Sequence, residues 1–221
     1  MTPQDRRPDR GSPSRRPPTP IHAILFDLDG VLVETFEAWM EVVEACRERR
    51  GHPRLGREAI LRAWGQGLDA DVRTFFPGLT PSELAREYEA EFGRHLDRVQ
   101  PIAGAAALLS TLRKAGVCRA VVTNSPARLA HDLLRAAGLA EFVESVTGGD
   151  EVPAGKPNPA MLRLALDRLD VAAERAVMIG DTANDIEAAA AAGVFSIGYR
   201  FQGDARVQRL VDVLALVTER P

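Results

Sequence analysis

The sequence predicts an α/β fold, a doubly wound and mostly parallel sheet with a helical subdomain inserted into it. Three observations lead there. Short apolar runs alternate with segments of helical apolar spacing, the pattern of a sheet covered by helices on both faces. Gly116, Gly138 and Gly193 stand where the helical segments end, the place that favours a residue able to turn left-handed. One interval, roughly ninety residues between the first strand and the second, is far too long for a single crossover helix.

The elements follow in order. The first twenty residues hold six prolines and five arginines and almost nothing apolar. Such a stretch cannot bury enough surface to offset its ordering entropy, so residues 1–20 are expected to form a disordered tail. "HAILF" (22–26) is the first strand. "FEAWMEVVEACRERRG", "REAILRAWGQG" and "PSELAREYEAEFGRHL" then give 36–100 its own amphipathic segments, which makes it the inserted subdomain. The links near 33–36 and 99–104, with Pro101 and Gly104, are its expected hinges. The core resumes with "CRAVV" (118–122), "FVESVT" (142–147), "AVMI" (176–179) and "VFSIG" (194–198) as strands. The segments between them read as helices, the last of them an alanine run at 188–192 suited to close packing on a sheet. The core is therefore 21–35 together with 101–221.

Composition excludes several classes of partner. The 221 residues carry a formal charge of −3 and 5% aromatics. There is neither a basic field for a phosphate backbone nor a supply of stacking platforms, so no nucleic-acid partner is expected. No apolar stretch approaches the roughly 20 residues that span a bilayer. Cys46 and Cys118 lie far apart without metal spacing and read as reduced thiols. The expected location is cytoplasmic, the expected assembly a monomer or homodimer.

Ligands of open α/β sheets bind at the carboxyl ends of the strands, so the residues after each strand matter most. Asp27 and Asp29 follow the first. Thr123, Asn124 and Ser125 follow the second. The loop after the third contains "GKPNP" with Lys156, and the fourth leads into "GDTAND" with Asp181 and Asp185. Four carboxylates brought to one rim repel each other unless a cation neutralises them. An oxygen-only ligand set suits a hard ion, Mg²⁺ best of all. Acids, a metal, a lysine and a hydroxyl together describe a phosphoryl-transfer site. Taken singly, Thr123 reads as a turn hydroxyl and Lys156 as a surface lysine, and only the constellation promotes them.

In order and spacing, "DLDGVLVET", "VVTNS", "GKPNP" and "IGDTANDIEAA" resemble the four motifs of the haloacid dehalogenase superfamily, in its phosphoglycolate phosphatase and β-phosphoglucomutase-like branch. The likeness runs from about 21 to 215. It implies a Rossmann-like core, with 36–100 as a helical cap closing over the site. It also implies roles. Asp27 is the nucleophile that forms an aspartyl-phosphate. Asp29 is the acid that protonates the leaving oxygen and then the base that activates water. Thr123, Asn124 and Lys156 hold the phosphoryl group. Asp181 binds Mg²⁺ with Asp27 and the Asp29 carbonyl, while Asp185 ligates the metal or holds Lys156. Glu34 stands where relatives often carry Asp, and Ala160 where an acid is common.

Absences narrow the chemistry. A dehalogenase relative does not need the acid at position 29. A phosphonate-cleaving relative forms an imine on a cap lysine, and a phosphomutase relative also uses one. The chain's two lysines, Lys114 and Lys156, both lie outside 36–100. The leading expectation is an Mg²⁺-dependent phosphatase acting on a small phosphorylated metabolite, phosphoglycolate-like or a sugar phosphate. A sugar phosphomutase and a non-catalytic binder of phosphometabolites are the alternatives. In the cap, His52, Arg54, Arg57, Arg62, Gln66 and Arg73 are the candidate substrate contacts, and "WGQG" (64–67) a loop facing the substrate.

Overall fold

The structure is a computed structural model describing residues 17–217. Residues 1–16 of the tail expected at 1–20 lie outside the described residues. Of its last four, Thr19 meets the core, its carbonyl accepting from the Arg175 guanidinium at 2.9 Å.

The chain enters the sheet as β1 (Ala23–Phe26), four apolar residues with no exposed surface. A tight turn follows, and the chain leaves through β2 (Val33–Glu34). Four helices come next: α1 (Phe36–Arg49), α2 (Arg57–Arg62), α3 (Leu68–Phe75) and α4 (Pro81–Phe92). The chain returns through β3 (Gln100–Pro101), which pairs antiparallel with β2, Val33 opposite Pro101. This two-stranded ribbon occupies the links expected to act as hinges.

The rest alternates: α5 (Ala105–Lys114), β4 (Cys118–Val122), α6 (Ala127–Ala136), β5 (Ser145–Thr147), α7 (Ala160–Leu169), β6 (Ala176–Gly180), α8 (Ala183–Ala192), β7 (Phe195–Tyr199), β8 (Ala205–Val207) and α9 (Leu214–Val217). Six strands form one sheet in the order β5-β4-β1-β6-β7-β8, every pairing parallel. Strand β1 is central. The chain moves outward first on its β4 side and then on its β6 side, so the topological switch point falls at β1. Its register sets Phe26 between Val121 and Ile179.

Both faces of the sheet are buried, as alternate residues show. Ile24 and Phe26 belong to one apolar cluster with Leu108 and Leu112 of α5 and Leu133 of α6. Ala23 and Leu25 belong to a second, with Met161 and Leu162 of α7 and Ala188 and Ala189 of α8. The first cluster continues without a break into the inserted helices. There Trp39 of α1 meets Tyr88 and Phe92 of α4 edge-to-face at 5.0 and 4.9 Å. Helix α4 starts where its sequence directs, with Pro81 in its first turn and a reciprocal Thr80–Glu83 capping box.

Five elements were not anticipated: the short strands β2 and β3, helix α3, the edge strand β8 and the final turn α9. Helix α3 carries acids and an arginine that obscure its apolar positions. The edge strand β8 is three residues long with Arg206 at its centre. The third expected strand is shorter than predicted, because residues 140–142 form a 3₁₀ turn before β5. Among the described residues no helix is long and apolar enough to cross a membrane. Both cysteines are free.

Candidate active site

Strand β1 delivers Asp27 to its carboxyl end, where the Asp27 N–H donates to the Ile179 carbonyl at 2.9 Å. Strands β4 and β6 end on either side of it, bringing Thr123 from one and Asp181 from the other. Lys156 reaches in from the loop before α7. Its ammonium is buried and donates to Asp27 at 2.7 Å, to Asp185 at 2.6 Å and to the Val122 carbonyl at 2.8 Å. All three of its protons are thus engaged. Burial pulls the Lys156 pKa down, but Asp185 and Asp27 outweigh it and the net direction is up.

One lysine does not neutralise the acids around it. Asp27, Asp181 and Asp185 each place a carboxylate oxygen within 4.8 Å of the others. Burial raises the Asp27 pKa well above the ordinary carboxylate range. Lys156 opposes this, and Asp185, Asp181 and Asp29 add to it. Asp181 is pushed up to about 7, by burial first and by Asp185 second. One of its oxygens, Oδ1, is buried without a hydrogen-bond partner. The Trp64 indole, which comes from the inserted helices, lies beside this carboxylate and works against the rise. Crowded acids, an orphaned carboxylate oxygen and an all-oxygen donor set fit a hard divalent cation.

Asp185 contacts Lys156 and also stands in the acidic cluster, so both roles expected of it remain proposals. One oxygen holds Lys156, and the other accepts from the Thr182 N–H and hydroxyl at 3.0 and 2.7 Å, capping α8. The Asp29 side chain faces elsewhere. It accepts from the Thr35 hydroxyl at 2.6 Å, the Trp39 indole at 2.9 Å and the Ser125 hydroxyl at 2.8 Å. Its carboxylate is therefore not one of the clustered acids, which leaves only its carbonyl for the metal role. Three donors fix it a short way from Asp27, toward the inserted helices.

Thr123 is buried and accepts from the Ser125 N–H at 3.1 Å. The Asn124 amide group ties three segments together. It donates to the Lys156 carbonyl at 3.0 Å and the Gly65 carbonyl at 2.9 Å, and it accepts from the Lys156 N–H at 2.7 Å. Asn184 also donates to the Gly65 carbonyl, at 2.9 Å. The "WGQG" loop is thus bound to the sheet edge.

Gly30 makes the turn after β1 workable. Its φ is +82°, and a Cβ there would lie 2.3 Å from Asp181 Oδ2. Gly30→Ala is expected to cost about 1–3 kcal/mol and to push Asp181 aside. An unchanged melting temperature would contradict this.

A cavity of about 80 Å³ opens between the sheet edge and the inserted helices. Asp27, Asp29, Thr123, Asn124, Lys156 and Asp185 line it from below. Trp39, Trp64, Gln66, Asp71 and Tyr88 line it from above. Of the expected cap contacts Gln66 is there, together with Trp64 and Gly65 of the expected "WGQG" loop. Arg57 pairs with Glu37 and stacks on Phe36, Arg62 lies 3.8 Å from Glu58, and Arg73 lines a neighbouring groove. Long charged side chains on short amphipathic helices keep their heads in water. Sequence reasoning missed Trp39 and Ser125 as partners of Asp29, Trp64 as a neighbour of Asp181, and Asp71. Asp71 stands in the first turn of α3, a helix that was itself overlooked.

The chain is similar to known proteins in sequence and in fold. Residues 21–193 match the family of haloacid dehalogenase-like hydrolases. A phosphoglycolate phosphatase of Xanthomonas campestris is 35% identical over 207 residues, covering 87% of this chain and 90% of the relative. One from Vibrio cholerae is 31% identical over 194 residues, covering 82% and 85%. Among solved structures, a mutant of CbbY from Rhodobacter sphaeroides in complex with xylulose-(1,5)bisphosphate superposes with a TM-score of 0.78 at 27% identity, covering 90% of this chain and 100% of that one.

Proposed function

The chain belongs to the haloacid dehalogenase-like hydrolases, and from that premise we propose that it is a phosphatase of small phosphomonoesters working through an aspartyl-phosphate on Asp27. The observation that carries the reading is the Lys156 ammonium joining Asp27 to Asp185, with Asp181 beside them, at the end of the central strand and beneath a small cavity. The relatives' substrate makes phosphoglycolate one candidate, and a sugar phosphate is another.

The contacts and the family resemblance together support a division of labour. Asp27 attacks phosphorus. Its Oδ1 stays on Lys156, which holds the carboxylate in line and draws charge from the phosphoryl oxygens. Thr123 and the backbone N–H groups after Asp27 and at Asn124 take the remaining oxygens. Asp29, fixed by Thr35, Trp39 and Ser125, gives a proton to the leaving oxygen and later takes one from water. Asp27, Asp181 and the Asp29 carbonyl are the proposed holders of Mg²⁺, with Asp185 oriented on Lys156. A bound divalent cation would neutralise these acids and polarise the phosphoryl group. Residues 36–100 are the proposed cap, excluding water when closed over the site, with 21–35 and 101–221 as the core. A covered cavity of this size suits a metabolite and not a polymer.

The test is phosphate release from a panel of small phosphate esters, with and without Mg²⁺. Release that needs the metal supports the reading. Isomerised product without net release would make the chain a phosphomutase.

The raised acids predict a pH signature. Without metal, the folded chain holds protons on Asp27 and Asp181 that the unfolded chain gives up at ordinary carboxylate values. These groups contribute stability that is complete below about pH 4 and lost as pH rises, for Asp181 through about 7. Mg²⁺ competes with those protons. The rise in melting temperature on adding Mg²⁺ is expected to be larger at pH 8 than at pH 5. An equal or smaller rise at pH 8 would count against the metal site.

A further inference from the structure

The cavity's cap side contains a carboxylate with no part in the chemistry above. Asp71 projects from α3 among apolar neighbours that include Val43, Ile60, Leu68 and Phe75. The Gln66 amide donates to one of its oxygens, and the Tyr88 hydroxyl donates to the other at 2.9 Å. Burial pushes its carboxyl up to about 6, against both hydrogen bonds. The charge around it is one-sided. Among the described residues that line this cavity, Lys156 is the one cation, and its three protons already go to Asp27, Asp185 and the Val122 carbonyl.

Resting on the phosphatase reading, we propose that Asp71 sets the substrate class. The cavity takes phosphomonoesters whose leaving alcohol carries hydrogen-bond donors, hydroxyl or ammonium, and it turns away those carrying a second anion such as a carboxylate. A carboxylate has about four acceptor positions, and Gln66 and Tyr88 fill one on each oxygen. The others are open to a donor from the substrate. A substrate carboxylate would instead meet Asp29 and Asp71 with no free cation to pair it. An unpaired charge of that kind is what makes a pocket reject a ligand.

Three esters of one two-carbon length test this: phosphoglycolate, 2-hydroxyethyl phosphate and phosphoethanolamine. p-Nitrophenyl phosphate is the activity reference. Where an ester binds without turnover, its inhibition constant against the reference replaces kcat/KM. For the wild-type enzyme with Mg²⁺, both donor-bearing esters are expected to exceed phosphoglycolate by at least about 10-fold. In Asp71→Asn that preference should fall at least about 5-fold. Phosphoglycolate matching or leading the series would overturn the proposal, and its loss in Arg73→Ala would show that an arginine in the neighbouring groove reads the carboxylate. A uniform change of all three esters in Asp71→Asn would overturn it too, since Asp71 would then only be holding Gln66 and Tyr88. If Asp71→Asn does not fold, the wild-type ranking decides alone. No release from the reference or from any of the three would remove the phosphatase reading, and this proposal with it.

Discussion

Asp27→Asn is expected to fold, to retain its ligand and to release phosphate at least about 10⁴-fold more slowly than wild type. The amide has the shape of the carboxylate but no nucleophilic oxygen. Its fold should hold, because Lys156 keeps Asp185 and the Val122 carbonyl as partners. The exchange also removes one of three crowded acids, relieving repulsion in the metal-free chain. A melting curve and kcat measured on the same preparation check both halves. A binder that merely kept the fold would lose nothing measurable in affinity and would have no turnover to lose. A variant with the full wild-type rate would show that Asp27 is not the nucleophile.

Lys156→Met is expected to give the largest loss of stability. It removes the buried cation shared by Asp27 and Asp185 and leaves both carboxylates without it. Breaking a buried pair in this way costs about 3–5 kcal/mol, which in a chain of this size lowers the melting temperature by roughly 6–20 °C. The sign of the pH dependence follows. Without the Lys156 charge nothing so close holds the Asp27 carboxyl down, so the folded variant holds its protons to still higher pH. Its stability is then fullest below the unfolded carboxylate pKa and is lost as pH rises, and the deficit against wild type should be larger at pH 8 than at pH 5. A melting temperature within about 2 °C of wild type, well under the effect of a broken buried pair, would contradict the structural role.

How much was legible in the sequence depended on what each residue's neighbours in the chain reveal. Strands β1, β4, β6 and β7 were readable as apolar runs because both faces of the sheet are buried. The acids at their ends were readable because a charge directly after such a run stands at the sheet rim. Asp27, Asp181, Asp185 and Lys156 could thus be named together although almost 160 residues separate the first from the last. Edge strand β8 has too few residues to show a period. Helix α3 carries its apolar residues at Leu68, Val72 and Phe75, a helical spacing, but Asp69, Asp71 and Arg73 lie between them.

The grip on Asp29 was not legible. Thr35 and Trp39 look like a loop hydroxyl and a core aromatic until α1 folds over the turn, and Ser125 is 96 positions away. Asp71 reads as an ordinary first-turn acid, and only tertiary packing puts it in the cavity. The arginines expected at the substrate had the right charge for a phosphate ligand, but exposed helix faces keep them in water.

Whether Asp27 takes the phosphoryl group is measured directly by trapping during turnover. The enzyme is mixed with Mg²⁺ and a turned-over ester, quenched with borohydride, digested and sequenced by mass spectrometry. An acyl phosphate is reduced to the alcohol, so homoserine is expected at position 27, dependent on substrate and on metal. Steady phosphate release with Asp27 unmodified, or with the reduced residue at another acid, would contradict it.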